Sequence, residues 1–370
     1  MLNYLNGDQK NFIEKLDTIL NKRKINDTKK LIVVKKIISN IIKNKDKALL
    51  NYEKKFSKNK KLTINNIKFS DLEIKKIIKK LNKTTKKNID LAFNRIFKFH
   101  KKQKLNSFKI KDSYNNQLSY ISSPIEKIGV YVPGGTASYP STVLMNCIPA
   151  LIAGVKEIYM ATPSNPKNYN PAILYAAKKC GVKEIYKIGG AQAIAALAYG
   201  TKKVKKVNKI VGPGNTYVAL AKKEVFGNVG IDMIAGPSEV TIVADKTAKI
   251  SWVASDLIAQ AEHDYLSQSI LVTNEKKIIF DVNISLKKQI NLLKKKEIAS
   301  KSLKKFGLAI FTKNKKMLSK IVNTIAPEHL QICTKNPNKI LKNITNAGSI
   351  FIGNYSPEAM GDYIAGTNHV

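Results

Sequence analysis

The residues with the clearest chemical potential lie in the run Gln260-Ala261-Glu262-His263-Asp264. This run ends a segment, 251–262, whose apolar and polar residues are spaced as in an amphipathic helix. Because Gln260 and His263 are three residues apart, a helix would place their side chains on one face. An amide oxygen and an imidazole nitrogen on a shared face can bind a metal ion or orient a substrate.

Three more side chains could complete a site with these two. Glu328 and His329 are adjacent just before an apolar segment, and a carboxylate beside an imidazole can provide two proton-transfer groups. Asp362 lies in a glycine-containing loop, where an aspartate is most often a turn residue. Together Gln260, His263 and Asp362 offer oxygen, nitrogen and oxygen ligands, a set that suits Zn²⁺, Mn²⁺ or Co²⁺ and leaves coordination positions open.

Alternating strand-like and helix-like segments would position these residues. Residues 1–106 are predicted to be mostly helical, with apolar residues at helical spacing in 31–42 and 71–81. Asn26-Asp27 and Ser70-Asp71 are candidate N-caps, and His100 is predicted to be a helix-terminal or exposed residue. From Ile128 onward, apolar strands alternate with helices. The predicted strands are 129–132, 157–161, 184–188, 209–211, 239–245, 269–273, 308–312 and 348–353. This alternation predicts an α/β fold with doubly wound parallel sheets.

Three of these strands are followed by glycine-containing turns with a distinctive polar residue. Tyr131, Gln192 and Asn215 each accompany one such turn. In doubly wound folds ligands bind at the carboxyl ends of the strands, glycine allows close approach, and a helix N-terminus favours phosphate. No turn matches the GxGxxG or the GxxxxGK[ST] pattern. Each turn alone is an ordinary strand-to-helix connection, and only together do they indicate a dinucleotide site.

The net charge of +39 raises the alternative of a nucleic-acid-binding protein. Arginine, which such proteins favour, occurs only at Arg23 and Arg95, and the lysines are spread along the whole chain. A solvated lysine-rich surface is the preferred interpretation, with no nucleic-acid partner. No apolar run is long enough to span a membrane. The three cysteines, Cys147, Cys180 and Cys333, are scattered, as expected for reduced thiols of a cytoplasmic protein.

From about Ile128 to Val370 the sequence closely resembles the histidinol dehydrogenase family. The seven matching stretches, in the order found in that family, are 129–135, 190–201, 211–215, 235–239, 260–264, 326–330, and 361–363 together with 366–370. Residues 1 to about 127 match only in length and helical character. Seven motif matches in family order make the resemblance specific.

The resemblance implies two incomplete Rossmann-like domains of the aldehyde-dehydrogenase type and a helical N-terminal segment. It implies an N-terminal segment at 1–24, a first domain from 25–129 plus 238–370, and a second from 130–237. It also implies a cytoplasmic homodimer with a shared active site that uses Zn²⁺ and NAD to oxidise L-histidinol to L-histidine in two steps through an aldehyde. The implied zinc ligands are Gln260, His263 and Asp362. The implied substrate contacts are these three ligands, Ser238 and His329. The implied NAD contacts are Tyr131, Gln192 and Asn215.

In the implied mechanism His329 takes the hydroxyl proton and Glu328 activates water for the second oxidation. No cysteine lies in the matching motifs, which argues against a thioester route. In the family a further histidine ligand and a substrate-binding glutamate lie in a C-terminal tail, and this sequence ends before that tail. We therefore expect a fragment that binds zinc weakly. A related dehydrogenase for another amino alcohol remains the alternative.

Overall fold

The structure is a computed structural model that describes residues 1–21, 28–57, 59, 61–134, 140–163, 169–234, 236–294 and 296–368, with the backbone alone at 362 and 363. The strands are β1 Asn3–Asn6, β2 Phe108–Lys111, β3 Gln117–Tyr120, β4 Lys127–Tyr131, β5 Glu157–Ala161, β6 Glu184–Tyr186, β7 Lys209–Val211, β8 Gly230–Ile231, β9 Glu239–Ala244, β10 Gln268–Thr273, β11 Leu308–Phe311, β12 His329–Cys333 and β13 Ser349–Ile352. The α-helices are α1 Phe12–Asn21, α2 Thr28–Phe56, α3 Asp71–Ile78, α4 Lys83–His100, α5 Pro140–Ala153, α6 Pro171–Lys179, α7 Gly190–Tyr199, α8 Thr216–Val225, α9 Ile250–Ala261, α10 Lys276–Ile290, α11 Lys296–Phe306, α12 Lys315–Ile325, α13 Pro337–Leu341 and α14 Glu358–Met360.

The chain divides into two compact units. The first comprises 1–25 and 236–363 with residue 369, and the second comprises 26–235 with 364–368 and residue 370. Residues 26–129 thus group with 130–235, whereas the sequence prediction placed 25–129 with 238–370. The assignment of two functional domains stays a prediction.

The second unit is built on a five-stranded parallel sheet of order β6-β5-β4-β7-β8. Counted along the chain from β4, this is the order 3-2-1-4-5 of a Rossmann-like sheet without its sixth strand. Alternate residues of β5 enter different cores, because successive side chains of a strand point to opposite faces. Tyr159 and Ala161 pack on the face covered by α2, α7 and α8, and Ile158 and Met160 on the face covered by α4, α5 and α6.

Helix α2 forms much of one face of this unit. Its spacing of Val34, Ile37, Ile38 and Ile41, all buried, is the helical period that the sequence predicted. At Lys45 the backbone leaves the helical region, with φ 45° and ψ −124°, so that α2 consists of two arms. Both arms therefore can contribute side chains to the same surface of the sheet.

The first unit is built on a six-stranded parallel sheet of order β1-β11-β10-β9-β12-β13. Counted from β9 it has the same 3-2-1-4-5 order, with β1 added at one edge. Val240 and Ile242 pack against α9 and α10, and Val243 packs on the opposite face with α1 and α12. Both faces are covered, which explains why the central strands β9, β10 and β12 are almost wholly buried.

Most sequence-predicted elements are confirmed: each predicted strand and the helices at 31–42, 71–81 and 251–262 are present. Ser70 caps α3 by accepting a hydrogen bond from the Glu73 amide at 3.2 Å. The candidate cap at Asn26-Asp27 lies outside the described residues.

Residues 1–106 are mostly helical, as predicted, but they begin with a strand. The apolar Leu5 of β1 pairs onto β11, which corrects the prediction of a helical segment at 1–24. His100 ends α4, as predicted; it is buried, and its Nδ1 lies 2.6 Å from Gln103 Oε1. The β2–β3 hairpin was not predicted at all. Among the described residues no helix combines the length and hydropathy that crossing a membrane requires.

Candidate functional site

A cavity of about 370 Å³ lies in the second unit at the carboxyl edge of the five-stranded sheet. Tyr131 ends β4, Gln192 lies in the first turn of α7, and Asn215 precedes α8. All three side chains line the cavity, although they come from separate stretches of the sequence. The structure therefore brings together the three residues expected to contact a dinucleotide, at the switch point between β4 and β7 where such folds bind ligands.

The wall opposite these turns comes from α2. Glu53 lines the cavity and is only 1% exposed. Its Oε1 accepts hydrogen bonds from the Gly189 amide and from Gln192 Nε2, both at 2.8 Å. Burial raises the pKa of Glu53 from 4.5 to about 7, against the lowering effect of these two hydrogen bonds.

The Tyr131 hydroxyl holds the same turn from the other side. It accepts a hydrogen bond from the Gly190 amide at 3.0 Å. Burial raises the pKa of Tyr131 to about 12, with a smaller contribution from the negative charge of Glu53. Tyr131 is therefore a neutral hydroxyl at physiological pH and can serve as donor or acceptor.

The turn before α8 is braced by a buried ion pair. Lys222, 2% exposed, pairs with Asp232 and donates to the Gly212 carbonyl at 3.0 Å, while Asp232 accepts from the Gly212 amide at 2.6 Å. Gly212 has φ +110°, and a Cβ there would lie 2.2 Å from the Tyr131 carbonyl oxygen. The Asn215 side chain caps α8 by accepting from the amides of Tyr217 and Val218. Asn215 thus has the structural role of a turn residue as well as its place in the cavity wall.

Proton-transfer groups gather in the first unit, at the amino edge of the six-stranded sheet. His329 begins β12 and is 2% exposed. Its Nδ1 lies 3.2 Å from the Glu239 carbonyl oxygen and 3.9 Å from Glu328 Oε2. Glu328 Oε2 in turn accepts from the Glu239 amide at 3.3 Å. Ser238 lies at the same edge, where its carbonyl accepts from the Gln268 amide at 3.1 Å.

Helix α9 brings Gln260 toward this edge, since it runs from the end of β9 to the start of β10. Gln260 is 1% exposed, and its Oε1 has no hydrogen-bond partner among the residues that the structure describes. The helix ends at Ala261, so His263 lies in the following turn, exposed, with its amide 3.3 Å from the Gln260 carbonyl. The helix predicted at 251–262 is confirmed as α9, and His263 lies just beyond its C-cap, Glu262.

The expected metal set is described only in part. The side chain of Asp362 lies outside the described residues, and within those described no group of three or more His, Cys, Asp and Glu side chains forms a metal cluster. A buried amide oxygen without a partner, as at Gln260, nevertheless fits a metal ligand, since an unpaired buried polar atom is costly.

Two acidic residues at these sites were not predicted from the sequence. Glu53 stands four residues after Leu49 and three before Phe56, on the apolar face of α2, and a lone acid on a buried face was the available signal. Glu358, 6% exposed, brings its Oε1 to 3.6 Å from His329 Nδ1. No local sequence pattern indicated Glu358, because it begins the short helix α14 and is well separated along the chain from His329.

Parallel sheets of this strand order, with a ligand cavity and buried proton-transfer groups, define an α/β enzyme. Within that class the chain belongs to the histidinol dehydrogenase family: the family model described as Histidinol dehydrogenase matches residues 20–370. The family is one of oxidoreductases of histidine biosynthesis.

Individual relatives agree with this assignment. A histidinol dehydrogenase of Pelagibacter ubique (strain HTCC1062) is 52% identical over 371 residues, which cover 100% of this chain and 86% of that protein. One from Clostridium acetobutylicum is 46% identical over 91% of this chain and 78% of its own length. The crystal structure of histidinol dehydrogenase from Elizabethkingia anophelis superposes with a TM-score of 0.92 at 40% identity, covering 100% of this chain and 84% of that one.

Proposed function

We propose that the protein is an NAD- and zinc-dependent enzyme that oxidises L-histidinol to L-histidine in two steps through the aldehyde. These are the last steps of histidine biosynthesis. The observation that carries the proposal is the 52% identity to a histidinol dehydrogenase along the whole of this chain.

The cavity of the second unit supports the assignment of the NAD site. Tyr131, Gln192 and Asn215 would hold the dinucleotide there, and the N-termini of α7 and α8 would face its phosphates. When bound, NAD supplies the acceptor for the hydride that leaves the substrate carbon in each step.

The zinc ligands of this chain would be Gln260, His263 and Asp362. The buried Gln260 Oε1, which accepts no hydrogen bond from the part of the chain that the structure describes, fits that role. When bound, zinc supplies a positive charge that fixes the polar groups of the substrate. Ser238, close to the start of β9, would add a hydroxyl contact to the same substrate.

His329 and Glu328 would carry the protons. A backbone carbonyl only accepts hydrogen bonds, so the contact with the Glu239 carbonyl keeps the proton on His329 Nδ1. The lone pair on Nε2 is then the basic atom that takes the hydroxyl proton in the first oxidation. Glu328, 37% exposed, would take a proton from water as the water attacks the aldehyde.

An assay of NADH formation with histidinol and added zinc tests the proposal. Two molecules of NADH per histidinol and histidine as product are expected, because the alcohol is oxidised twice. Treatment with a chelator should abolish the activity and added zinc should restore it. NADH formation from other amino alcohols but not from histidinol would favour the alternative, a related dehydrogenase with a changed substrate.

A cytoplasmic homodimer with a shared active site completes the proposal. The β2–β3 hairpin of the second unit supports it: Phe108, Ile110, Leu118 and Tyr120 form one apolar face, and each side chain is about half exposed. Sedimentation should give a dimer, and the double substitution Ile110→Lys with Leu118→Lys should give a monomer. A dimer that persists unchanged would place the interface elsewhere. All three cysteines are free and buried, in keeping with a reducing compartment.

A further inference from the structure

We propose that Glu53 is a positioning residue of the dinucleotide cavity. Its carboxylate fixes the Gln192 carboxamide and the Gly189–Gly190 turn, so that Gln192 presents its carbonyl oxygen to a hydrogen-bond donor of the bound dinucleotide. This inference rests on the proposed NAD site and deepens it, because it gives a polar role to α2, whose other lining residues Val33, Ile37 and Phe56 are apolar.

The geometry assigns one carboxylate oxygen two neighbouring donors. Glu53 Oε1 receives the Gly189 amide and Gln192 Nε2, both at 2.8 Å, and all three residues line the cavity. Helix α2 carries Glu53 from a part of the chain more than a hundred residues away from the turn. Helix α2 therefore holds the Gly189–Gly190 turn and the Gln192 carboxamide, in addition to the strand and helix on either side of that turn.

The chemistry of the pair fixes which end of the amide faces the ligand. Oε1 of Glu53 accepts hydrogen bonds both when the carboxylate is ionised and when a proton lies on Oε2, so Gln192 must direct its NH₂ group toward Glu53. The remaining polar atom of that side chain is the carbonyl oxygen, an acceptor. Without Glu53 the amide is free to rotate by half a turn and to offer a donor instead, which mismatches a hydroxyl or amide N–H of the ligand.

Glu53 is also poised to change its charge when the cavity fills. Its Oε2 is buried and has no hydrogen-bond partner among the described residues. Helices α7 and α8 pack against α2, and their titratable side chains are Tyr199, Tyr217, Lys222, Lys223 and Glu224. Of the two titratable residues of β4, Lys127 and Tyr131, the second interacts with Glu53. Of these, Tyr131 and Tyr217 line the cavity, and Lys222 is paired with Asp232.

A dinucleotide displaces water and brings negative phosphates, and both effects favour the protonated carboxyl. Since burial already raises the pKa of Glu53 to about 7, NAD affinity should fall as the pH rises through neutrality.

The test is equilibrium dialysis of NAD against the full chain at about pH 6 and about pH 8.5. Glu53→Ala should weaken binding by about tenfold or more, because the amide and the turn lose their common acceptor. Glu53→Gln keeps an acceptor oxygen without a charge, so it should bind within about threefold of the unaltered protein and lose the pH dependence. Glu126→Gln, an exposed isosteric change in the same unit, is the matched control and should leave both properties unchanged.

A double-substitution cycle distinguishes positioning from general damage. If Glu53 acts through Gln192, Glu53→Ala should cost less than about threefold in NAD affinity when Gln192→Ala is already present. The KM for histidinol should change by less than about twofold in Glu53→Gln, because Glu53 is not among the residues proposed to bind histidinol. The role of Glu53 would be overturned if adding Glu53→Ala to Gln192→Ala still weakened NAD binding by the full tenfold. It would also be overturned if NAD binding by Glu53→Gln kept the original pH dependence. Failure of the unaltered protein to bind NAD at either pH would instead overturn the proposed function itself.

Discussion

The two parallel sheets share the strand order 3-2-1-4-5 but gather their polar groups at opposite edges. In the five-stranded sheet the cavity lies at the carboxyl edge, where Tyr131 ends β4. In the six-stranded sheet His329 begins β12, so its polar groups lie at the amino edge. A shared topology therefore does not predict which edge carries the chemistry.

Helix polarity gives the two edges of each sheet a different electrostatic character. The N-termini of α7 and α8 point their positive dipole ends at the carboxyl edge, which suits the phosphates of a dinucleotide. The amino edge receives helix C-termini, such as the end of α9 at Ala261, where carbonyl groups and the negative dipole end favour a cation. Each sheet thus favours anions at its carboxyl edge and cations at its amino edge.

The largest expected effect concerns the amino edge. His329→Asn should lower kcat for both oxidations by about 10²–10⁴-fold, since it removes the base, and Glu328→Gln should lower aldehyde oxidation by a similar factor while sparing the first step. Separate assays with histidinol and with the aldehyde measure the two steps. NAD affinity, a property of the other sheet, should not change in either variant. Equal loss of both steps in both variants would contradict the assigned roles.

At the carboxyl edge of the five-stranded sheet, the next expected effect comes from the backbone at Gly212. Gly212→Ala should destabilise the second unit by about 3 kcal/mol or more, because it adds a clash with the Tyr131 carbonyl to an unfavourable positive φ. Gly227→Ala is a matched control with φ +98° and no atom within 4 Å of the added Cβ. Urea unfolding should show a loss of only about 1–2 kcal/mol for that control. Equal losses would mean that the contact with Tyr131 is not tight.

The stability of the second unit should depend on pH through Glu53. Its pKa is about 7 in the folded protein and near 4.5 when unfolded, so the folded state binds the proton more tightly. The resulting stabilisation is complete below pH 4.5 and is lost as the pH rises through 7. Relative to Glu53→Gln, the free energy of unfolding should fall by up to about 3 kcal/mol across that range, at about 1.4 kcal/mol per pH unit. Urea unfolding of both proteins between those pH values measures it, and parallel pH profiles would refute the assignment.

The smallest expected effect concerns the metal. Gln260→Ala should weaken zinc binding by on the order of tenfold, since an oxygen ligand is removed, and should leave NAD binding intact. Competition with a chromogenic chelator measures zinc affinity. Gln268→Ala, also on a buried glutamine of the first unit but bonded to the Phe306 carbonyl, is the control. Loss of zinc affinity in the control alone would move the site away from Gln260.

Local sequence pattern was sufficient for much of the fold. The apolar strands from Ile128 onward and the helical spacing around Ile37 predicted elements that the structure confirms. Strand β1 and the β2–β3 hairpin escaped prediction because each strand has only two apolar residues among polar ones, without the continuous apolar run that marks the buried strands. Local sequence pattern also predicted some of the site residues, since Tyr131, Gln192 and Asn215 are polar residues at glycine-containing turns.

What the sequence by itself determined is the set of local features: strand and helix positions, the glycine turns, the Glu328-His329 pair and the family to which the chain belongs. These depend on residues close together in the chain. Tertiary structure alone decided which distant residues meet, as Glu53 meets Gln192 and Glu358 meets His329. It also decided the edge at which each group lies and the burial that shifts the pKa of Glu53, because burial is a property of packing between elements and not of any one of them.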